Sequence, residues 1–113
     1  MLWPAHVAPL QMIAVPAGAK NAFAGQLVVA WHGYRAGGHR VVSYRIDATG
    51  RPSGPPRPWI EGWGASRNVR PLGAPAGILI DSAGRIFVVE DRNRTVLMLV
   101  RDPAAAAGAA TIR

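Results

Sequence analysis

The residues with chemistry to offer are three histidines, one acidic pair, and arginines and tryptophans in irregular segments. His6 follows Pro4 at the lead-in to an apolar stretch, and His32 follows the apolar run Gln26-Leu27-Val28-Val29-Ala30-Trp31. Each is either a histidine satisfied by backbone or a group standing at the mouth of a site. His39, beside Gly37-Gly38, reads as solvent-exposed. Histidines this far apart do not make a zinc pattern, and the chain has no cysteine. Glu90-Asp91 would suit acid–base work or calcium. With Arg92 and Arg94 beside it, a turn held by surface ion pairs is the favoured reading. Arg67 and Arg70, flanked by Trp63 and Pro71, form a rim for an anion, because a guanidinium grips a carboxylate with two bonds. Trp3 and Trp63 flank loops and suit stacking on a flat ring, whereas Trp31 and Trp59 suit packing between sheets. No Ser-His-Asp arrangement, phosphate-cradling glycine loop or dinucleotide fingerprint is present.

The elements that must position these groups come in two copies. One reads Ala8-Pro9-Leu10-Gln11-Met12-Ile13-Ala14, then Gly25-Gln26-Leu27-Val28-Val29-Ala30, then His39-Arg40-Val41-Val42-Ser43-Tyr44-Arg45-Ile46-Asp47. The other reads Ala74-Pro75-Ala76-Gly77-Ile78-Leu79-Ile80, then Gly84-Arg85-Ile86-Phe87-Val88-Val89, then Arg94-Thr95-Val96-Leu97-Met98-Leu99-Val100-Arg101-Asp102. A period of roughly 60 residues built from short strands is the pattern of β-propeller blades.

Strands are expected over residues 10–15, 26–31, 40–47, 76–80, 85–90 and 95–101. The 40–47 strand alternates and should be half-exposed. Residues 49–58, with four prolines and two glycines, should be a surface loop, and Trp59-Ile60 a short edge strand. The expected fold is all-β, a partial β-propeller of about two four-stranded blades. Blade one covers about 8–61 and blade two about 74–102, the latter lacking its outer strand. The unit spans 1–102, and the Ala-rich tail 103–113 reads as disordered.

The bulk numbers exclude several classes. At 113 residues and half apolar, this is one domain or a piece of one, not a disordered chain. The net charge of +7 comes almost wholly from arginines spread singly, which argues against nucleic-acid binding. No stretch reaches the ~18 apolar residues of a membrane span. The start, Met1-Leu2-Trp3-Pro4, lacks the regions of a secretory signal, so a signal on an exported parent would lie upstream. Two blades do not close a ring of the usual four to eight, so the exposed edges invite self-association.

Several phrases resemble the pyrroloquinoline-quinone-dependent soluble sugar dehydrogenases, the glucose/sorbosone dehydrogenase family. They are Trp3-Pro4-Ala5-His6-Val7-Ala8-Pro9-Leu10, then Phe23-Ala24-Gly25-Gln26-Leu27-Val28-Val29-Ala30-Trp31-His32-Gly33 with Arg40-Val41-Val42-Ser43-Tyr44-Arg45-Ile46. Pro75-Ala76-Gly77-Ile78-Leu79-Ile80-Asp81-Ser82-Ala83-Gly84 and Arg85-Ile86-Phe87-Val88-Val89-Glu90-Asp91 complete the set. In that order they look like the last two blades of the family's six-bladed propeller, nearer its sorbosone branch.

The resemblance implies the C-terminal segment of a periplasmic or secreted enzyme. That enzyme oxidises a sugar or aldehyde with pyrroloquinoline quinone and calcium and passes the electrons to an acceptor. The catalytic base and the calcium ligands belong to earlier blades, so this segment alone would be inactive. On the resemblance, Trp3 and His6 sit near the cofactor's edge, His32 stands at the inner end of its strand, and Arg70 supplies a carboxylate contact. Relatives often carry Arg where this chain has Ala74. The competing readings are a non-catalytic binding propeller and a lactonase-like hydrolase, for which the strand ends offer too few metal ligands.

Overall fold

The computed structural model describes residues 3–33, 35, 37–63 and 71–99. Among them the chain is all-β: seven strands in two antiparallel sheets and no helix. The first sheet runs in chain order through β1 (Pro9–Ala14), β2 (Gln26–Trp31), β3 (Arg40–Ile46) and β4 (Pro52–Ile60). The second runs through β5 (Pro75–Ile80), β6 (Ile86–Glu90) and β7 (Thr95–Leu99). Neither sheet closes on itself. Arg67, Arg70 and the tail 103–113 lie outside the described residues.

The two sheets repeat each other in backbone detail. Pro9 pairs with Trp31 and Pro75 with Glu90, and in both ladders the register shifts directly after the proline. That alignment makes His32 the counterpart of Asp91 and Gly25 the counterpart of Gly84. The two glycines share a left-handed φ, +71° and +80°. His39 and Arg94, each leading into the third strand, share another, +55° and +59°.

One turn is used twice. Asp47 Oδ1 accepts the N–H groups of Thr49 and Arg51, and Asp81 Oδ1 those of Ala83 and Arg85. Gly50 and Gly84 then take φ +80°, closed by a bond from the glycine N–H to the aspartate carbonyl. An L side chain rarely adopts that φ, so both turns end in glycine.

Past Gln26, β2 is apolar because both its faces are covered. Val28 and Ala30, with Val41 of β3, pack against Ile78, Ile86 and Val88 of the second sheet. On the other face Val29 and Trp31, with Val42 and Tyr44, receive Val7 and Trp3 of the leading segment. The 40–47 strand is therefore not half-exposed: Val41, Val42, Ser43 and Tyr44 are all buried. Even polar Ser43 is absorbed, donating to Gln26 Oε1 and accepting from the Trp59 indole.

Two further expectations are corrected. Trp59-Ile60 is in an edge strand as expected, but that strand starts at Pro52, so most of the expected 49–58 loop is β4, the longest strand among the described residues. An edge strand bonds on one side only, so proline's missing N–H is tolerated, and the ladder to β3 slips twice along the way. Trp59 pins this strand inward, its ring 4.3 Å from Phe23 in an edge-on contact. His39 is not solvent-exposed. It is 3 % accessible, in the left-handed position that leads into β3.

The sheets stack in a directional way. The face of sheet one carrying Val28, Ala30 and Val41 corresponds by register to Phe87, Val89 and Val96 in sheet two. Yet it packs on the opposite face of sheet two, that of Ile78, Ile86 and Val88. Like faces never meet, which is a head-to-tail arrangement. Gln11 joins the units across their facing edges, its Oε1 accepting the Ile78 N–H at 2.7 Å.

Candidate functional site

The described chemistry gathers where β2 and β6 end. His32 is the first residue past β2, and Asp91 the first past β6. Their side chains meet across the two units, with His32 Nε2 at 3.0 Å from Asp91 Oδ2 and 3.2 Å from Oδ1. The pair is partly exposed, so its coupling is solvent-screened and modest. Its value is positional: Asp91 orients the ring and leaves Nδ1 as its remaining polar atom.

Backbone bonds hold both residues in place. The His32 N–H donates to Ala8 O at 3.1 Å, and Gly33 N–H to Val7 O at 2.8 Å. These two bonds lay the segment of Trp3 and His6 along the strand end. Gly33 permits this approach, since a Cβ there would overlap the His6 carbonyl oxygen and the Val7 backbone. On the other unit the Asp91 N–H donates to Ala74 O at 3.3 Å.

Glu90 is the anchor of that second strand end. It is 1 % accessible, and its carboxylate accepts the N–H groups of Ala74, Arg92 and Asn93 at 2.7 to 2.9 Å. The Thr95 hydroxyl adds a fourth bond at 3.3 Å. Burial pushes the carboxyl up, but the donated N–H groups outweigh it and hold it below the usual glutamate range. This carboxylate is engaged by backbone and serves structure. Asp91 thus opens the turn and Glu90 closes β6, and the pair is not held by arginine side chains as expected: Glu90 accepts backbone N–H groups and Asp91 reaches His32.

Three residues singled out from sequence lie on the two segments that these backbone bonds join. Trp3 is half-buried, its ring 6.4 Å from that of Trp31 and tilted by 55°. His6 is exposed and held at φ +65° where the segment turns toward Gly33. His32 is joined to the same segment through its N–H bond to Ala8 O. Arg70 lies outside the described residues. Trp63 does not stand free as a stacking platform: it packs against the core between the sheets and against Gly73. Asp91 as partner of His32 was the residue missed. The repeat alignment carries the signal, since it puts both at one position of their units.

Among the described residues no three His, Asp or Glu side chains converge as metal ligands. A groove of about 660 Å³ runs between the far ends of β1 and β5. Its charged lining is Lys20 and Asp81, and Asp81 is already held by Arg85 at 2.6 Å. The strand-end cluster therefore remains the better candidate. No family model, curated protein or solved structure matches the chain.

Proposed function

We propose that the chain is the C-terminal segment of a pyrroloquinoline-quinone-dependent sugar or aldehyde dehydrogenase, two blades of its propeller, supplying channel wall and cofactor contacts. The observation that supports this reading best is the head-to-tail stacking of two equivalent sheets, with His32 at the strand end where the units meet and the segment of Trp3 and His6 laid along that end by backbone bonds. Units stacked this way around a ring bring such ends toward one axis, where propellers present their binding groups.

The quinone is flat and carries three carboxylates. Its plane suits Trp3, already backed by Trp31. Its carboxylates suit His32 Nδ1, with Arg70 as a second contact by resemblance. When bound, the quinone would accept the two electrons leaving the sugar carbon. His32, oriented by Asp91, and Trp3 hold and orient, and the base and calcium ligands belong to other blades. The parent would work in the periplasm or outside the cell, with a sugar or aldehyde and an electron acceptor as partners.

A second reading is a non-catalytic binding propeller. It is favoured by the Asp91 carboxylate, which stands at His32 where the cofactor's own carboxylates would come. Calorimetric titration of pyrroloquinoline quinone with calcium into the full chain separates the two. The dehydrogenase reading expects saturable binding, weakened about tenfold or more in His32→Ala by loss of a charged hydrogen bond. Absence of saturable binding even after the missing blades are restored to the chain would leave the binding propeller.

A further inference from the structure

The outward face of the second sheet is apolar and open. Leu79 is 61 % accessible, Val89 44 %, Val96 65 % and Met98 47 %, with Phe87 half-buried among them. On a three-stranded sheet this makes one contiguous stripe, because Leu79, Phe87 and Met98 pair across the ladder and Val89 pairs with Val96. Clustered exposure of this kind marks an interaction surface, whereas scattered apolar residues do not.

The repeat identifies what fits there. The counterparts of Phe87, Val89 and Val96 in sheet one are Val28, Ala30 and Val41, which are at most 1 % accessible. They are covered by the Ile78, Ile86 and Val88 face of the next unit. The corresponding face of sheet one, Leu27, Val29, Val42 and Tyr44, has Trp3 and Val7 packed on it. Among the described residues, one end of the stack thus carries a covering segment and the other end does not. Repeat arrays show the same asymmetry wherever a unit awaits its neighbour.

We infer that the outward face of the second sheet is the docking surface for another unit of this same repeat, bound head to tail as unit two is bound to unit one. The occupant is an antiparallel sheet presenting the β-branched face that Ile78, Ile86 and Val88 present within the chain. This rests on the two-blade part of the proposed function, deepens it by naming the face and the direction of docking, and is tested separately from the quinone.

The probe is a second copy of the full chain in which the leading segment is displaced. Gly33→Ala does this, because its Cβ overlaps the backbone of His6 and Val7. Val96→Lys added to that copy blocks its own outward face, and a second donor lacks residues 1–7. Circular dichroism first establishes that each donor keeps the strand signal. Sedimentation of donor mixed with the wild-type chain should show a 1:1 complex. Val96→Lys in the wild-type partner should weaken it more than about tenfold, since a lysine cannot be buried there unpaired. The inference is overturned if neither folded donor forms a complex, or if the complex survives that substitution.

Discussion

Asp91 reaches His32 from 59 positions away, and the two are neighbours because their strands end at the same level of adjoining units. The residue that holds this level is Glu90. Replacing it with glutamine keeps the shape but puts an amide among donors, leaving at least one buried N–H without an acceptor. Glu90→Gln should destabilise the chain by about 2 kcal/mol, read from urea unfolding. The acid limb follows from the same carboxylate. Its folded-state value lies below the unfolded one, as do those of Asp47 and Asp81, which Thr49 and Arg85 hold down most strongly. Stability from these groups is present above the ordinary carboxylate range and is lost as pH falls through the lowered values. Wild type should lose stability on acidification below about pH 4.5, the usual glutamate value, and Glu90→Gln should lose less. His39 shows the limit of reading by neighbours. Gly37-Gly38 suggests an open turn, yet His39 is buried while Arg94, with the matching backbone, is exposed, so neither neighbours nor φ state the burial.

Six of the strands were legible, because runs such as Leu27-Val28-Val29-Ala30 state their burial directly. The seventh, β4, was hidden by composition. Its prolines say loop when read alone, and only the one-sided bonding of an edge makes them acceptable in a strand. The join between the sheets was equally silent, since nothing in sequence marks Gln11 as the acceptor for Ile78 N–H. Gly77 is its necessary companion: a Cβ there would stand 3.0 Å from Gln11 Oε1. Gln11→Ala should cost about 1 kcal/mol, and Gly77→Ala a similar amount by displacing the same bond. Combined, they should cost less than their sum, which a double-mutant cycle measures. At the opposite face, Gly33→Ala should release the leading segment. The loss of buried Val7 alone is about 2 kcal/mol, and quenching by acrylamide should report a more accessible Trp3.

The repeat visible in the sequence becomes, in the whole molecule, a direction of stacking. Period and turn chemistry revealed the units, but which face meets which needed the register of Pro9 with Trp31 and Pro75 with Glu90. Among the described residues the result is a two-unit stack with an exposed apolar face, and the reading proposed for it is that these sheets belong to a larger array. The most direct test is the mass of the native product in the source cells, detected with an antibody to this segment. A band several times the 12.0 kDa of this chain is the predicted result. A band at 12.0 kDa itself would contradict it, since the two units would then be the whole protein.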